Sequence, residues 1–362
     1  MMVATKGMAQ GVIDVHSHII TPEFLSALES EGRLLDEGFP LPKYDAEAHL
    51  KWMDEAGIQT SVLTLAAPQP LGQQTLPRPL PCREGSSYTQ GSIKTEAEQG
   101  LQGIYSPPSQ GGGGGESLIR QCNEAAARLK QEHPGRFLFC AALPLPDVDA
   151  AIREAIYALD TLKADGIKLA TNVQGQYLGT PELDTLFAVL NERHAVLILH
   201  PHRPEPVNRQ VMQQTPLAMQ EYLSETTRAV SNMISRNVLA RYHDIKVVVP
   251  HCGAYLPLAV PRMKSLTPVM QANKMVGNID WEKNLANLYY DLAGAHSPEV
   301  IRMLLTITTP DHLLYGSDYP YVAPQVLTQS LQRMKQYLTT EPDLAPFRDM
   351  ILHKNAERLM GL

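Results

Sequence analysis

Val12-Ile13-Asp14-Val15-His16-Ser17-His18 is a β-rich run that closes on two histidines. Side chains alternate between the two faces of a strand, so His16 and His18 share a face and both can reach one ion. Asp14 has the same parity and reads as a deeper supporting carboxylate rather than a ligand. Taken alone, a histidine pair at a strand end is equally well a satisfied polar rim. The fold and the site are decided by whether other strands end in the same way.

Seven more β-rich runs follow, at 60–66, 136–143, 166–171, 195–200, 246–251, 288–292 and 313–318. Most are continuously apolar (VLTL, VLIL, KVVV), as parallel strands covered on both faces are. Between them, 47–56, 117–131, 149–163, 181–192, 217–241 and 298–306 place apolar residues three and four apart, the helical spacing. Thr180-Pro181 and Ser297-Pro298 each put a hydroxyl before a proline, a helix-start signal. Strand and helix alternating eight times predicts an α/β fold, a (β/α)8 TIM barrel filling 1–362 as one domain, with a doubly wound open sheet as the rival. The stretch 69–116 breaks the rhythm with Pro, Gly, Ser and Gln. It reads as a flexible insertion after strand 2, with an active-site lid as the alternative because barrel loops on that side carry function.

Catalytic groups of a barrel converge at the C-terminal strand ends. His200 closes VLILHPH, His251 closes KVVVPHCG and Asp318 closes LLYGSDYP. Residues far apart in sequence thereby become one cluster with His16 and His18.

The combination of HxH after strand one, HP after strand five, HxG after strand six and GSDYP after strand eight resembles the amidohydrolase superfamily, in its aminocarboxymuconate-semialdehyde decarboxylase-like branch. The resemblance extends through HPGRF (133–137), LPLPD (143–147), DGIKLATN (165–172), TTRAV (226–230), HCGAYLP (251–257) and YYDLAG (289–294), and is poor only in the insertion. It implies His16, His18, His200 and Asp318 as ligands of one divalent ion. Three imidazoles and a carboxylate suit zinc, with manganese the alternative. The resemblance also makes His251 the general acid/base, and places Arg262 where relatives reach into a neighbouring subunit's pocket, hence a homodimer. Lys43 matches loosely a further substrate-contacting arginine, and Arg228 either approaches the pocket or pins its helix. Binuclear relatives carry a carboxylated lysine where Lys168 stands; a one-ion branch makes it a structural residue. His202 lines the pocket or faces solvent, and Cys252 points away from the pocket toward the helices.

HPHRP, ETTRAVSNMI and HCGAYLP are most similar to decarboxylases of the 6-methylsalicylate and resorcylate type. The implied activity is nonoxidative, metal-dependent decarboxylation of a small aromatic hydroxy acid or related unsaturated acid, without an organic cofactor. A metal-dependent hydrolase or hydratase on the same barrel is the alternative, since it shares the ligand set. A metal-free scaffold is a third class, which metal analysis would separate.

Bulk properties agree with a small-molecule enzyme. Among 362 residues the formal net charge is −7 and no Lys/Arg run concentrates a basic field, which argues against a nucleic-acid partner. The N-terminal residues lack the apolar core of a signal peptide, and no apolar run is long enough for a membrane span. Cys82, Cys122, Cys140 and Cys252 have no CxxC spacing and read as reduced thiols of a cytoplasmic protein.

Overall fold

Eight strands pair in parallel, in the order in which they occur in the chain. They are β1 (Val12–Ile19), β2 (Ile58–Leu65), β3 (Phe137–Ala142), β4 (Gly166–Ala170), β5 (Val196–His200), β6 (Lys246–Val249), β7 (Leu288–Asp291) and β8 (Leu313–Leu314). The computed structural model describes residues 11–30, 35–36, 39–66, 113–208, 210, 215–294 and 296–362. Most of the predicted insertion lies outside the described residues; its last four residues, 113–116, begin a helix.

The longer helices are α1 (Pro22–Ser30), α2 (Ala46–Ala56), α3 (Gly113–Glu132), α4 (Val148–Ile156), α5 (Asp184–Glu192), α6 (Glu221–Ser235), α7 (Leu256–Ala272), α8 (Pro298–Leu304), α9 (Pro324–Thr340) and α10 (Asn355–Met360). The edges of the sheet meet: Val15 N–H donates to the Tyr315 carbonyl at 3.0 Å, and His18 N–H to that of Tyr319 at 2.7 Å. This nearly closed ring of parallel strands with helices between them is a (β/α)8 barrel, and the open sheet is excluded. A large buried cluster lies between strands and helices, while a smaller one gathers Val15, Val62, Leu138, Ile198, Val248 and Leu314 from six strands. Both faces of the strands are therefore covered, which is why their sequences do not alternate.

Two strands end two or more residues before their apolar runs do. β6 stops at Val249 because Pro250 has no N–H to give and residues 251–254 all have positive φ. β8 pairs only through Leu314, and Asp318 sits at φ 68. The two helix-start signals also part company. Ser297 Oγ accepts from the Val300 N–H at 3.3 Å and caps α8. Thr180 makes no such bond, and its chain opens with a 3-10 turn instead.

His49 of α2 is wholly buried, stacked at 4.1 Å on Tyr319, the residue after Asp318. Burial pushes its imidazole down to about 3, next to an ordinary value of 6.5. In the unfolded chain His49 binds a proton below 6.5 that the fold refuses, so the stability it permits is complete above that value and drains as pH falls toward 3. The slope is up to about 1.4 kcal/mol per pH unit from this one group. His49→Phe keeps the stack and removes the titration, so its acid-unfolding midpoint is expected at lower pH than that of the parent protein. Equal midpoints by circular dichroism would contradict this.

Candidate metal centre

The strand ends deliver what the HxH run anticipates. One ligand-capable atom from each of His16, His18, His200 and Asp318 lies within 4.8 Å of the others. All three histidines are buried, and Asp318 is partly so. The Nε2 atoms of His16 and His18 face each other at 3.2 Å. Asp318 Oδ1 stands 3.1 Å from His18 Nε2 and 3.4 Å from His16 Nε2.

Each histidine is oriented by its other nitrogen. His16 Nδ1 donates to Asp291 Oδ2 at 2.8 Å. His18 Nδ1 donates to Thr64 Oγ1 at 2.9 Å, because that hydroxyl spends its own proton on the Ser17 carbonyl. His200 Nδ1 donates to the Pro201 carbonyl at 2.9 Å. With all three Nδ1 atoms engaged, three Nε2 atoms are left for a common centre. A tetrahedral ion with N and O ligands at about 2.0–2.1 Å holds those atoms roughly 3.3 Å apart. The spacings around His16, His18 and Asp318 match, so the donor set fits one divalent ion.

The electrostatics suit a cation. Burial alone would raise the Asp318 carboxyl, but its contacts with His18 and His251 hold it well below the ordinary range. Burial pushes His18 down to about 4 and His200 well below 6.5, the nearby Lys168 charge adding to both. His16 differs: burial opposes its charge, yet Asp291 holds it up to about 9.

His251 follows β6, its Nε2 3.7 Å from Asp318 Oδ2, and its buried Nδ1 has no hydrogen-bond partner among the described residues. Asp14 lies below the cluster, accepting from the Ser317 hydroxyl at 2.6 Å and from the Ser317 and His16 N–H groups. It braces the chain after β8 against β1, and burial pushes its carboxyl up to about 7. Lys168 is buried. His202 is buried as well, so its solvent-facing alternative is corrected; its N–H bonds Thr171 Oγ1 at 3.0 Å. Cys252 packs in the cluster between strands and helices, away from the pocket as expected, although it lies beyond the end of β6. Cys122, Cys140 and Cys252 are buried free thiols, and Cys82 lies outside the described residues.

The cations fall differently. Arg262 is exposed on α7, and Lys43 is exposed ahead of α2. Arg228 pairs with the buried Glu225 and donates to Tyr177 Oη at 2.8 Å, the pinning alternative of its sequence reading. Neither Lys43 nor Arg228 makes a hydrogen bond or ion pair with the cluster. Sequence reasoning passed over Asp291 and Thr64, although both stand at C-terminal strand ends, the position that singled out the ligands.

The amidohydrolase family model matches residues 108–362 of this chain. The chain belongs to the amidohydrolase family. Within the family, curated relatives that it resembles are decarboxylases. Decarboxylase YanB of Aspergillus niger is 31% identical over 90% of this chain and 81% of its own length. The 6-methylsalicylic acid decarboxylase of Penicillium expansum is 27% identical over 85% of this chain and 84% of its own. Among solved structures, the 5-carboxyvanillate decarboxylase of Novosphingobium aromaticivorans, complexed with manganese and 4-hydroxy-3-methoxy-5-nitrobenzoic acid, superposes with TM-score 0.75. It covers 97% of this chain and 96% of its own at 18% identity, a likeness of fold. This amidohydrolase is thus a carboxy-lyase, a decarboxylase. Among the described residues no helix is long and apolar enough to cross a membrane.

Proposed function

We propose that this amidohydrolase removes CO2 from a small aromatic acid with a hydroxyl ortho to its carboxylate, a salicylate-like substrate. The observation that carries the proposal is His251, held beside a complete three-histidine, one-aspartate ligand set. His16, His18, His200 and Asp318 would hold the ion, zinc by the preference of such donors, with manganese, present in the neighbouring structure, as the alternative. Such an ion polarises the substrate's oxygens and fixes their orientation. His251 delivers a proton to the ring carbon that bears the carboxylate. Breaking the bond to the carboxylate carbon then returns its electron pair to the ring, and CO2 leaves. One proton enters the product for each CO2 released, and no oxidant is needed.

The charge-balancing cation is Arg262 of a second copy of the chain. Support comes from α7, where Leu258, Leu266 and Val269 are exposed beside Arg262 at helical spacing. Arg228 is given no substrate contact, its guanidinium being already paired, and Lys43 ranks below Arg262. Arg262→Ala is expected to raise KM on the order of 10- to 100-fold, the worth of a bidentate charged contact, with metal content unchanged. A fully active monomer by sedimentation would remove the shared pocket.

The function is tested by loading the protein with zinc or manganese and offering 6-methylsalicylate, 2,6-dihydroxybenzoate and 5-carboxyvanillate in D2O. CO2 release with deuterium at the vacated ring carbon is the expected result. Hydrolysis of an ester or lactone without CO2 from any acid would establish the hydrolase alternative.

A further inference from the structure

Residues 251–254 trace a left-handed turn, with φ of 55, 56, 72 and 53 at His251, Cys252, Gly253 and Ala254. Left-handed backbone is ordinarily visited by single residues, because Cβ crowds the carbonyl, and a run of it persists only where its surroundings impose it. Gly253 is forced by space as well: a Cβ there would sit 2.9 Å from Leu304 Cδ1 and 3.0 Å from Tyr290 Cδ1. What holds the first residue of the turn is Asp291. Its Oδ1 accepts from the His251 N–H at 3.0 Å and from the Ala293 N–H at 3.0 Å. Its other oxygen, Oδ2, accepts from His16 Nδ1. The carboxylate is wholly buried.

One side chain thus touches both halves of the site. We infer that Asp291 is a positioning residue that ties the ligand set to His251: Oδ2 decides which nitrogen of His16 carries the proton, and Oδ1 decides where the His251 backbone sits. The inference rests on the metal-centre reading above. Gly316 makes the arrangement sterically feasible, because a Cβ at that position would lie 2.8 Å from His16 Cβ and 3.2 Å from Asp291 Cβ.

The two oxygens can be separated by substitution. In Asp291→Asn, the two backbone N–H groups orient the amide oxygen toward themselves and leave the NH2 facing His16 Nδ1. Two donors then oppose each other, and the ring relieves this by moving its proton to Nε2, the atom needed for the ion. In Asp291→Ala both contacts are lost.

Zinc affinity, measured by competition with a chromophoric chelator, is expected to fall about 10- to 100-fold in D291N. D291A is expected to lose as much affinity and, at saturating zinc, to lower kcat further than D291N does, because its His251 turn is no longer held. The absorption spectrum of the cobalt-loaded proteins reports the ligand field independently of turnover, and should change in D291N. Should D291A not fold, Gly316→Ala replaces it: it crowds His16 away from Asp291 without removing a charge, and should weaken zinc binding too. Parental zinc affinity in D291N, or parental kcat for D291A at saturating zinc, would overturn the inference. If the parent binds zinc tightly yet releases no CO2, the decarboxylase proposal fails, and the affinity and spectral comparisons still decide the role of Asp291.

Discussion

His16→Ala is expected to lose stoichiometric metal and, with it, decarboxylation. The substitution removes one of the three Nε2 donors and also strips Asp291 of the ring that its Oδ2 serves. A divalent ion in such a site supplies several kcal/mol of transition-state stabilisation, and at about 1.4 kcal/mol per decade its loss costs on the order of a thousand-fold in kcat or more. The buried Asp291 carboxylate, left without its partner, destabilises the fold too. Asp318→Asn is the cleaner companion. Asn tolerates the left-handed φ of 68 that Asp318 adopts, so the backbone is kept while the charge is removed. Atomic absorption on protein prepared in defined metal decides the matter: metal at one equivalent with parental turnover in either variant would refute the ligand assignment.

The strands were legible because parallel strands buried on both faces leave continuous apolar runs, and all eight fall where those runs lie. Their ends were not. Pro250 and the left-handed residues after it curtail β6, and the backbone of 315–319 leaves β7 to bond β1 instead. Such choices depend on partners that no local pattern names. Helix α7 hides for a different reason: Pro261 and Pro268 sit inside it, and its apolar residues do not gather on one side. Helix α9 had no such excuse, since Leu327, Leu331, Met334 and Leu338 mark a plain buried stripe.

For the site, the cluster of His16, His18, His200 and Asp318 could be read because each is a metal-binding residue type at a strand end, and a barrel brings those ends together. Asp291 stands at such an end too. Its role is invisible in sequence because it is set by hydrogen-bond geometry to a ring 275 positions away. The same limit applied to Arg228. TTRAV is compatible with either a pocket or a pinning role, and only the location of Glu225 and Tyr177 distinguishes them.

His251→Gln is expected to lower kcat by about 100- to 10,000-fold, the usual contribution of a positioned general acid, while metal stays at parental stoichiometry. The two readouts separate because His251 approaches the ligand set through Asp318 Oδ2 at 3.7 Å, whereas Oδ1 of that residue is the atom nearest His16 and His18. Glutamine fills similar space and can occupy the same contact, but it cannot carry a proton to carbon. Its backbone N–H still bonds Asp291 Oδ1, so the turn is retained. Substrate binding depends on the ion and on Arg262, so KM should change much less than kcat. The solvent deuterium effect on kcat distinguishes this from a general loosening of the site. Proton delivery by His251 predicts a marked effect in the parent that is altered in H251Q. Equal kcat and an equal isotope effect in both proteins would assign the proton to another donor, and Asp318, whose Oδ2 faces the same space, would be the next residue to examine.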